Sequence, residues 1–443
     1  MTETMFAERT RAMGVSAIRE ILKVASQPGM ISLAGGLPAA EAFPTSILQH
    51  LTERVFEKYG SLALQYDCTE GFTPLRQALA FHLSEKKGIC ISQDDVLVAT
   101  GSQGVLDALG KILISRGDRI AVEAPTYLGA IQAFNPYGPD YVSLETDEEG
   151  LIPESLEDAL HQGPIKIVYL VPTFQNPTGR TLSVKRRAHL AEIIRRHDIL
   201  VVEDDPYSDL RYEGGSIPSL QLFAPDQVIY IGTLSKIFAP GLRIGYCVAP
   251  EKVRQWMVLA KQGVDLHTGT LSQALAAEYL VGGYLEDHLP RILECYRPRR
   301  KAMLDALDIG LPDSFKWSRP EGGMFVWLEG PPDLDMDRVY EEAVKRGVAV
   351  VPGKYFFADP ERGGNTLRLN FSMPDVLSIK HAVAILAELL REHVGSSKRT
   401  VQNGDNRNPY PRLVNNVISQ FGTDFNRGTA QISMSQAVAV RKF

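Results

Sequence analysis

Between about residue 95 and residue 250, short runs rich in β-branched and apolar residues alternate with longer stretches of helical periodicity. "DVLVAT", "RIAVEA", "KIVYLVP", "DILVVED", "QVIYIG" and "RIGYCVA" predict strands, and the amphipathic stretches between most of them predict helices. Such alternation implies an α/β fold with a mostly parallel central sheet flanked by helices on both faces. Further on, a charged helical stretch near 284–308, the strand-like "GGMFVWLE", a helix near 336–346, the strand "TLRLNFS" and a helix from about 375 to 393 predict a smaller α+β domain. The expected division is an N-terminal arm over 1–45 packing on the small domain, a large domain over 46–285, the small domain over 286–395, and a tail over 396–443. Its stretch "SSKRTVQNGDNRNPYPR" is rich in Asn, Ser and Pro, and the tail carries seven Lys/Arg against two Asp, which reads as a disordered extension.

Composition narrows the function classes. At 443 residues, 44% hydrophobic and 23% charged, the chain is long enough for two core-bearing domains. A formal net charge of −6 offers no long-range basic field for nucleic acid or anionic lipid, so a small acidic metabolite would have to be caught by local arginines. The four cysteines, Cys68, Cys90, Cys247 and Cys295, are scattered without C-x-x-C spacing, which predicts reduced thiols and no metal site. "MTETMFAERTRAMG" lacks the apolar core of a signal peptide, and no later run is long enough to cross a bilayer. The expected location is the cytoplasm, with no membrane partner.

Ligands of an open parallel sheet bind beyond the carboxyl ends of its strands. Here those ends carry Gly101-Ser102-Gln103-Gly104 after "VLVAT", Tyr127 after "RIAVEAPT", Asn176-Pro177-Thr178-Gly179 after "KIVYLVPTFQ", Asp204 and Tyr207 after "ILVVE", and Thr233-Leu234-Ser235-Lys236 with Arg243 after "VIYIG". Each alone has a structural explanation as a turn, cap or packing residue. Lys236 is the hardest to place structurally, because its small, hydroxylated and apolar neighbours offer a snorkelling lysine little exit to water.

Together they supply the parts needed to hold pyridoxal 5′-phosphate. Its aldehyde needs a lysine, and a less solvated site favours the neutral amine. Its pyridine nitrogen needs a carboxylate to keep it protonated, a role that fits Asp204. The ring oxygen wants donors such as Asn176 and Tyr207, the ring face wants Tyr127, and the phosphate wants Ser102, Gln103, Ser235 and Arg243.

The sequence also resembles a known group, the fold type I pyridoxal-phosphate aminotransferases of classes I and II, and within them the α-aminoadipate and kynurenine aminotransferase subgroup. The likeness runs from about Arg9 to His393 through "SAIREILK", "SLAGGLPAAEAFP", "LQYDCTEGFTPLR", "TGSQGVLDALGK", "EAPTYLGAIQAF", "FQNPTGR", "VVEDDPYSDLRY", "TLSKIFAPGLRIGY", "KQGVDLHT", "RPEGGMFVW" and "NTLRLNFS". The resemblance implies Lys236 as Schiff-base lysine, Asp204 at the pyridine nitrogen, Asn176 and Tyr207 at the ring oxygen, and Tyr127 on the ring face. It further implies a homodimer in which Tyr66 reaches the phosphate across the subunit interface, Arg368 as the grip on the substrate α-carboxylate, and Gly36 as backbone beside the substrate. Gly104 stands where the subgroup commonly has a second glutamine, and Thr233 where a phosphate-contacting serine is frequent. The tail after about 396 has no counterpart in the family pattern.

The expected reaction is a ping-pong transamination, with an L-amino acid as donor and 2-oxoglutarate as the expected acceptor, Lys236 acting as general base and Asp204 maintaining ring protonation. Arg19 lies on an N-terminal helix that covers the substrate pocket in the subgroup. It would read a side-chain carboxylate of glutamate or 2-aminoadipate, or else be a solvated helix residue; aromatic, kynurenine-like and branched-chain donors stay open. Two alternatives compete: lyase, synthase or decarboxylase chemistry on the same cofactor, and an aminotransferase-like regulatory domain behind a DNA-binding helix-turn-helix. The pattern's start near residue 9 argues against the second.

Overall fold

The computed structural model describes residues 5–13 and 17–400. In chain order its strands are β1 (Ile31–Ser32), β2 (Val96–Thr100), β3 (Arg119–Ala124), β4 (Asp140–Asp147), β5 (Gly150–Leu151), β6 (Ile167–Leu170), β7 (Leu200–Asp205), β8 (Val228–Thr233), β9 (Ile244–Val248), β10 (Lys316–Trp317), β11 (Phe325–Glu329), β12 (Val348–Ala349), β13 (Val351–Pro352) and β14 (Thr366–Asn370). The expected tail lies, from residue 401 onward, outside the described residues; up to there the chain continues a helix spanning Val376–Thr400.

Eight strands form the large sheet in the order β2-β9-β8-β7-β6-β3-β4-β5. The run β8-β7-β6-β3-β4 is parallel throughout, while β9 lies antiparallel to both its neighbours and β5 pairs antiparallel with β4. The predicted mostly parallel α/β sheet is therefore what the chain forms. Strands β6 and β8 are buried at every position, which is why they read as continuous apolar runs and not as alternating patterns. Strand β4 escaped prediction for the opposite reason: its burial is mostly partial, and "DYVSLETD" presents no apolar run.

A four-stranded antiparallel sheet, β10-β11-β14-β13, forms the smaller part. The helix Tyr284–Gly310 packs through Leu285, His288, Ile292, Tyr296, Arg299, Met303 and Leu307, a stripe spaced at three and four residues. The chain from Ile31 to Ala42 is strapped into place. β1 pairs in parallel with β12, Asn370 donates its backbone N–H to the Leu33 carbonyl at 2.7 Å, the Ala39 N–H donates to the Tyr296 hydroxyl at 3.0 Å, and Arg299 pairs with Glu41. This strap brings Ala34 and Gly36 to the carboxyl ends of the large sheet's strands. Among the described residues no helix is long and apolar enough to cross a membrane.

Candidate active site

Side chains alternate along β7, so Glu203 and Asp205 face one side of the sheet and Asp204 the other. On the far side every need is met. Glu203 accepts from Ser219 Oγ at 2.5 Å and from the Leu220 and Gln221 amides at 3.1 and 3.0 Å, and Asp205 accepts from Tyr230 and Ser208 at 2.8 and 2.6 Å. Among the described residues Asp204, only 2% exposed, receives one bond, from the Tyr169 hydroxyl to Oδ2 at 2.8 Å, and its Oδ1 is buried without a partner. Burial pushes the Asp204 carboxyl up to about 7; the Tyr169 bond opposes the rise and neighbouring Asp205 adds to it. An orphaned buried acceptor costs about 1–3 kcal/mol, and in a native site it points to a donor supplied from outside the chain.

Lys236 follows the end of β8 and turns inward, as its neighbours predict. It keeps partial exposure, and Nζ donates to the Gly36 carbonyl at 2.9 Å. Burial, then the positive charges of Arg243 and Arg368, bring its ammonium down to about 8. No carboxylate lies within ion-pairing distance of it among the described residues.

Beside Lys236 the start of the helix Ser102–Leu113 closes against β9. Gly101 has φ +75°, and a Cβ there would strike the Arg243 guanidinium; a Cβ on Gly245 would strike the Gly101 carbonyl carbon and the Ser102 nitrogen. Two glycines thus let Arg243, itself left-handed at φ +56°, close over a helix N-terminus. Helix geometry supplies no carbonyl to the Ser102 and Gln103 amides of that first turn, which with the dipole and Arg243 makes a cup for an anion. Thr233 Oγ1 lies 2.9 Å from Ser235 Oγ, fixing both hydroxyls at the end of β8. The Gln103 side chain is engaged elsewhere, donating to the Gly129 carbonyl at 2.8 Å, and the Gly104 amide closes the turn onto the Gly101 carbonyl at 3.1 Å.

On the opposite wall Arg368, on β14 and 3% exposed, donates through Nη1 to Asn176 Oδ1 at 2.9 Å and through Nη2 to the Ala34 carbonyl at 2.6 Å. Its guanidinium lies between the Phe325 and Phe356 rings, 4.4 and 4.7 Å from their centroids. Nε is buried without a partner among the described residues, and burial brings the group down to about 10. A buried guanidinium held by neutral acceptors and aromatic faces leaves its charge for an incoming anion. Asn176 also influences the hydroxyl of Tyr207, whose ring meets Phe325 edge-on at 5.9 Å. Burial pushes the Tyr127 and Tyr207 hydroxyls upward, and both sense Asp204 and Arg368.

Lys236, Asp204, Asn176, Tyr207, Tyr127, Arg243, Arg368 and Gly36 therefore converge, with Ser102, Thr233 and Ser235 beside them. Tyr66 stands apart, 78% exposed, its ring edge-on to His267 at 5.7 Å. The Arg19 side chain lies outside the described residues, although its backbone belongs to the helix Ala17–Ala25. Sequence reasoning missed Tyr169, Phe325, Phe356 and the Ala34 carbonyl, whose roles arise from contacts between distant segments.

The sequence profile of the family described as aminotransferase class I and II matches residues 29–386. The chain is 46% identical to aromatic-amino-acid aminotransferase 1 of Thermococcus litoralis over 88% of this chain and 95% of that one. It is 40% identical to 2-aminoadipate transaminase of Thermus thermophilus over 87% of this chain and 96% of that one. Among solved structures, kynurenine aminotransferase of Pyrococcus horikoshii, in complex with PMP, KYN and KYA, aligns with a TM-score of 0.85 at 44% identity, covering 88% of this chain and 98% of that one.

Fold and site define a pyridoxal-phosphate enzyme of fold type I. The chain belongs to the class I and II aminotransferases, and its chemistry is transamination, in place of the lyase, synthase, decarboxylase and regulatory alternatives. The residues present fit pyridoxal phosphate. Asp204 Oδ1 is a buried acceptor waiting for an N–H, Lys236 is an amine relieved of part of its charge, and Arg243 with Ser102 forms an anion cup.

Proposed function

We propose that the enzyme takes the amino group from an L-amino acid of the aromatic, kynurenine-like or 2-aminoadipate kind and delivers it to a 2-oxo acid, with 2-oxoglutarate as acceptor. The similar proteins from Thermococcus, Thermus and Pyrococcus span these donors, and one pocket serving several shapes suits a cover built from a separate N-terminal arm. The observation that carries this reading is Arg368: a buried guanidinium without an acidic partner among the described residues, whose planar fork matches the carboxylate common to every donor and acceptor.

When bound, pyridoxal phosphate supplies the aldehyde that takes up the amino group and the ring that withdraws electrons. Lys236 holds it, Asp204 Oδ1 accepts from the ring nitrogen, Asn176 and Tyr207 meet the ring oxygen, and Tyr127 covers the ring face. Ser102, Gln103, Thr233, Ser235 and Arg243 take the phosphate, Gln103 through its backbone amide. The Gly104 amide closes the turn behind it. Arg368 and Asn176 orient the substrate α-carboxylate beside Gly36. Lys236 Nζ, as a neutral amine, would then remove the proton from the substrate Cα and hold it as an ammonium for redelivery. The N-terminal arm closes the pocket, and Arg19 reads a side-chain carboxylate where the donor has one.

We also propose a cytoplasmic homodimer in which Tyr66 completes the partner's phosphate site. Tyr66 stands with Leu62, Leu64 and Leu266 among the large apolar side chains left half-exposed or more, the character of a surface covered by a second copy. Mixing Tyr66→Phe with Lys236→Ala should restore activity that neither variant has alone, through hybrid dimers carrying one intact site. Failure of such mixtures, with subunit exchange verified, removes Tyr66 from the partner's site.

A donor panel with 2-oxoglutarate tests the reaction. Oxo acid and glutamate should form in equal amounts with parallel-line kinetics, and release of CO2 or loss of the side chain without glutamate would overturn it. In single-turnover half-reactions with each donor alone, Arg19→Ala should lose activity selectively on 2-aminoadipate and glutamate; an even loss removes Arg19 as the reader.

A further inference from the structure

Strand β6 lies beside β7 in parallel register, with Tyr169 opposite Val202 and Leu170 opposite Glu203. Val202 shares its sheet face with Asp204, so the tyrosine on one strand reaches the carboxylate two residues further along the next. The same reach recurs on the other face, where Tyr230, opposite Glu203, donates to Asp205 at 2.8 Å. The two pairs differ in what surrounds them. Asp205 has Ser208 and nearby Lys87 as well. Asp204 has Tyr169 and nothing else among the described residues. Tyr169 is fully buried, with Phe134 edge-on at 6.1 Å, and Asp204 is the hydrogen-bond partner its hydroxyl has found.

We propose that Tyr169 is a positioning residue for the cofactor's carboxylate: its hydroxyl pins Asp204 through Oδ2, favours its anionic form, and reserves Oδ1 for the ring nitrogen of pyridoxal phosphate. This rests on the cofactor-binding role proposed for Asp204.

Burial alone drives Asp204 towards its neutral form, and a neutral acid does not hold a pyridine nitrogen in its protonated state. The Tyr169 bond is the one local influence that favours the anion. The other titratable groups that sense Asp204 are Asp205 on its own strand, which opposes ionisation, and the hydroxyls of Tyr127 and Tyr207. Burial first, then Asp204, with Tyr127 and Glu123 adding to them, holds the Tyr169 phenol well above its ordinary range, so that hydroxyl keeps its proton. A neutral donor is the fitting choice. An arginine or lysine at this place would ionise Asp204 more strongly but would also satisfy its charge, and the cofactor would lose its counter-ion. A phenol stabilises the anion and leaves the charge unmet.

The test compares wild type, Tyr169→Phe, and protein with 3-fluorotyrosine inserted at position 169 only. The apoenzyme's carboxylic acid stretching band, assigned by its loss in Asp204→Asn, reports protonation of Asp204 without any activity assay. Cofactor affinity is measured in parallel between about pH 5 and 9. In Tyr169→Phe the band should persist to higher pH by about one unit or more, and the cofactor should bind ~10-fold more weakly near neutrality, recovering as pH rises. In the holoenzyme kcat should fall while KM for the donor holds. The fluorinated phenol, a stronger donor, should shift the band the opposite way. An unchanged titration in both variants, or a loss of affinity independent of pH, would reduce Tyr169 to packing and overturn the proposal. If Tyr169→Phe fails to fold, the fluorotyrosine protein decides alone. Undiminished cofactor binding by Asp204→Asn would overturn the role of Asp204 itself, a result distinct from failure of the tyrosine.

Discussion

At Lys236 burial works against the ammonium, and at Asp204 against the carboxylate, so the two groups proposed to meet the cofactor are each held near the point where they change charge. A lysine at about 8 is ~10% neutral at pH 7, against well under 0.1% for an ordinary one. Uptake of pyridoxal phosphate by apoenzyme should therefore accelerate as pH rises and level off above about 8, which stopped-flow absorbance will follow. Lys236→Ala should lower turnover by more than about a thousandfold; near wild-type rates would reject the assignment. For Asp204 the folded value, about 7, lies above the unfolded one, so the native apoenzyme binds the extra proton and loses stability as pH rises from about 4 through 7. Apo Asp204→Asn should accordingly melt higher than apo wild type at pH 8, by an amount on the order of 2–4 kcal/mol, with the gap closing towards pH 5. Lys236 and Asp204 were legible because an ionisable residue ending an apolar run is conspicuous in a linear string. Tyr169 was not, because it sits inside "KIVYLVP" and acquires meaning only from a carboxylate on the next strand.

Elements were legible in proportion to how completely they are buried. Strands β6 and β8 gave unbroken apolar runs and the helix Tyr284–Gly310 gave its stripe despite two internal prolines, whereas half-exposed β4 gave neither. The anion cup shows the limit of reading loops. Gly-Ser-Gln-Gly indicated a helix start, but the glycine that lets β9 approach it, Gly245, lies far along the chain. Gly245→Ala should force β9 away from Gly101 and Ser102, costing about 1–3 kcal/mol of stability and a larger share of cofactor affinity, measurable by denaturant melts of apo and loaded protein. If the two melts shift equally, the contact serves the fold and not the phosphate. Arg368→Lys keeps the charge on β14 but removes the fork, and should raise KM for every donor by about 10–100-fold with a smaller change in kcat.

Across the whole molecule, the segment from Leu33 to Leu37 meets both the large sheet's loops and the small sheet. Its carbonyls at Ala34 and Gly36 are taken by Arg368 and Lys236, the two cations assigned to the substrate carboxylate and the coenzyme. A ligand drawing on Lys236 Nζ or Arg368 Nη2 would compete with the protein's own backbone for them. Coenzyme held at Nζ would free the Gly36 oxygen, and a substrate carboxylate taking Nη2 would free that of Ala34. If coenzyme and substrate displace these two carbonyls, deuterium uptake across residues 33–37 should rise on loading in place of the protection that binding usually brings.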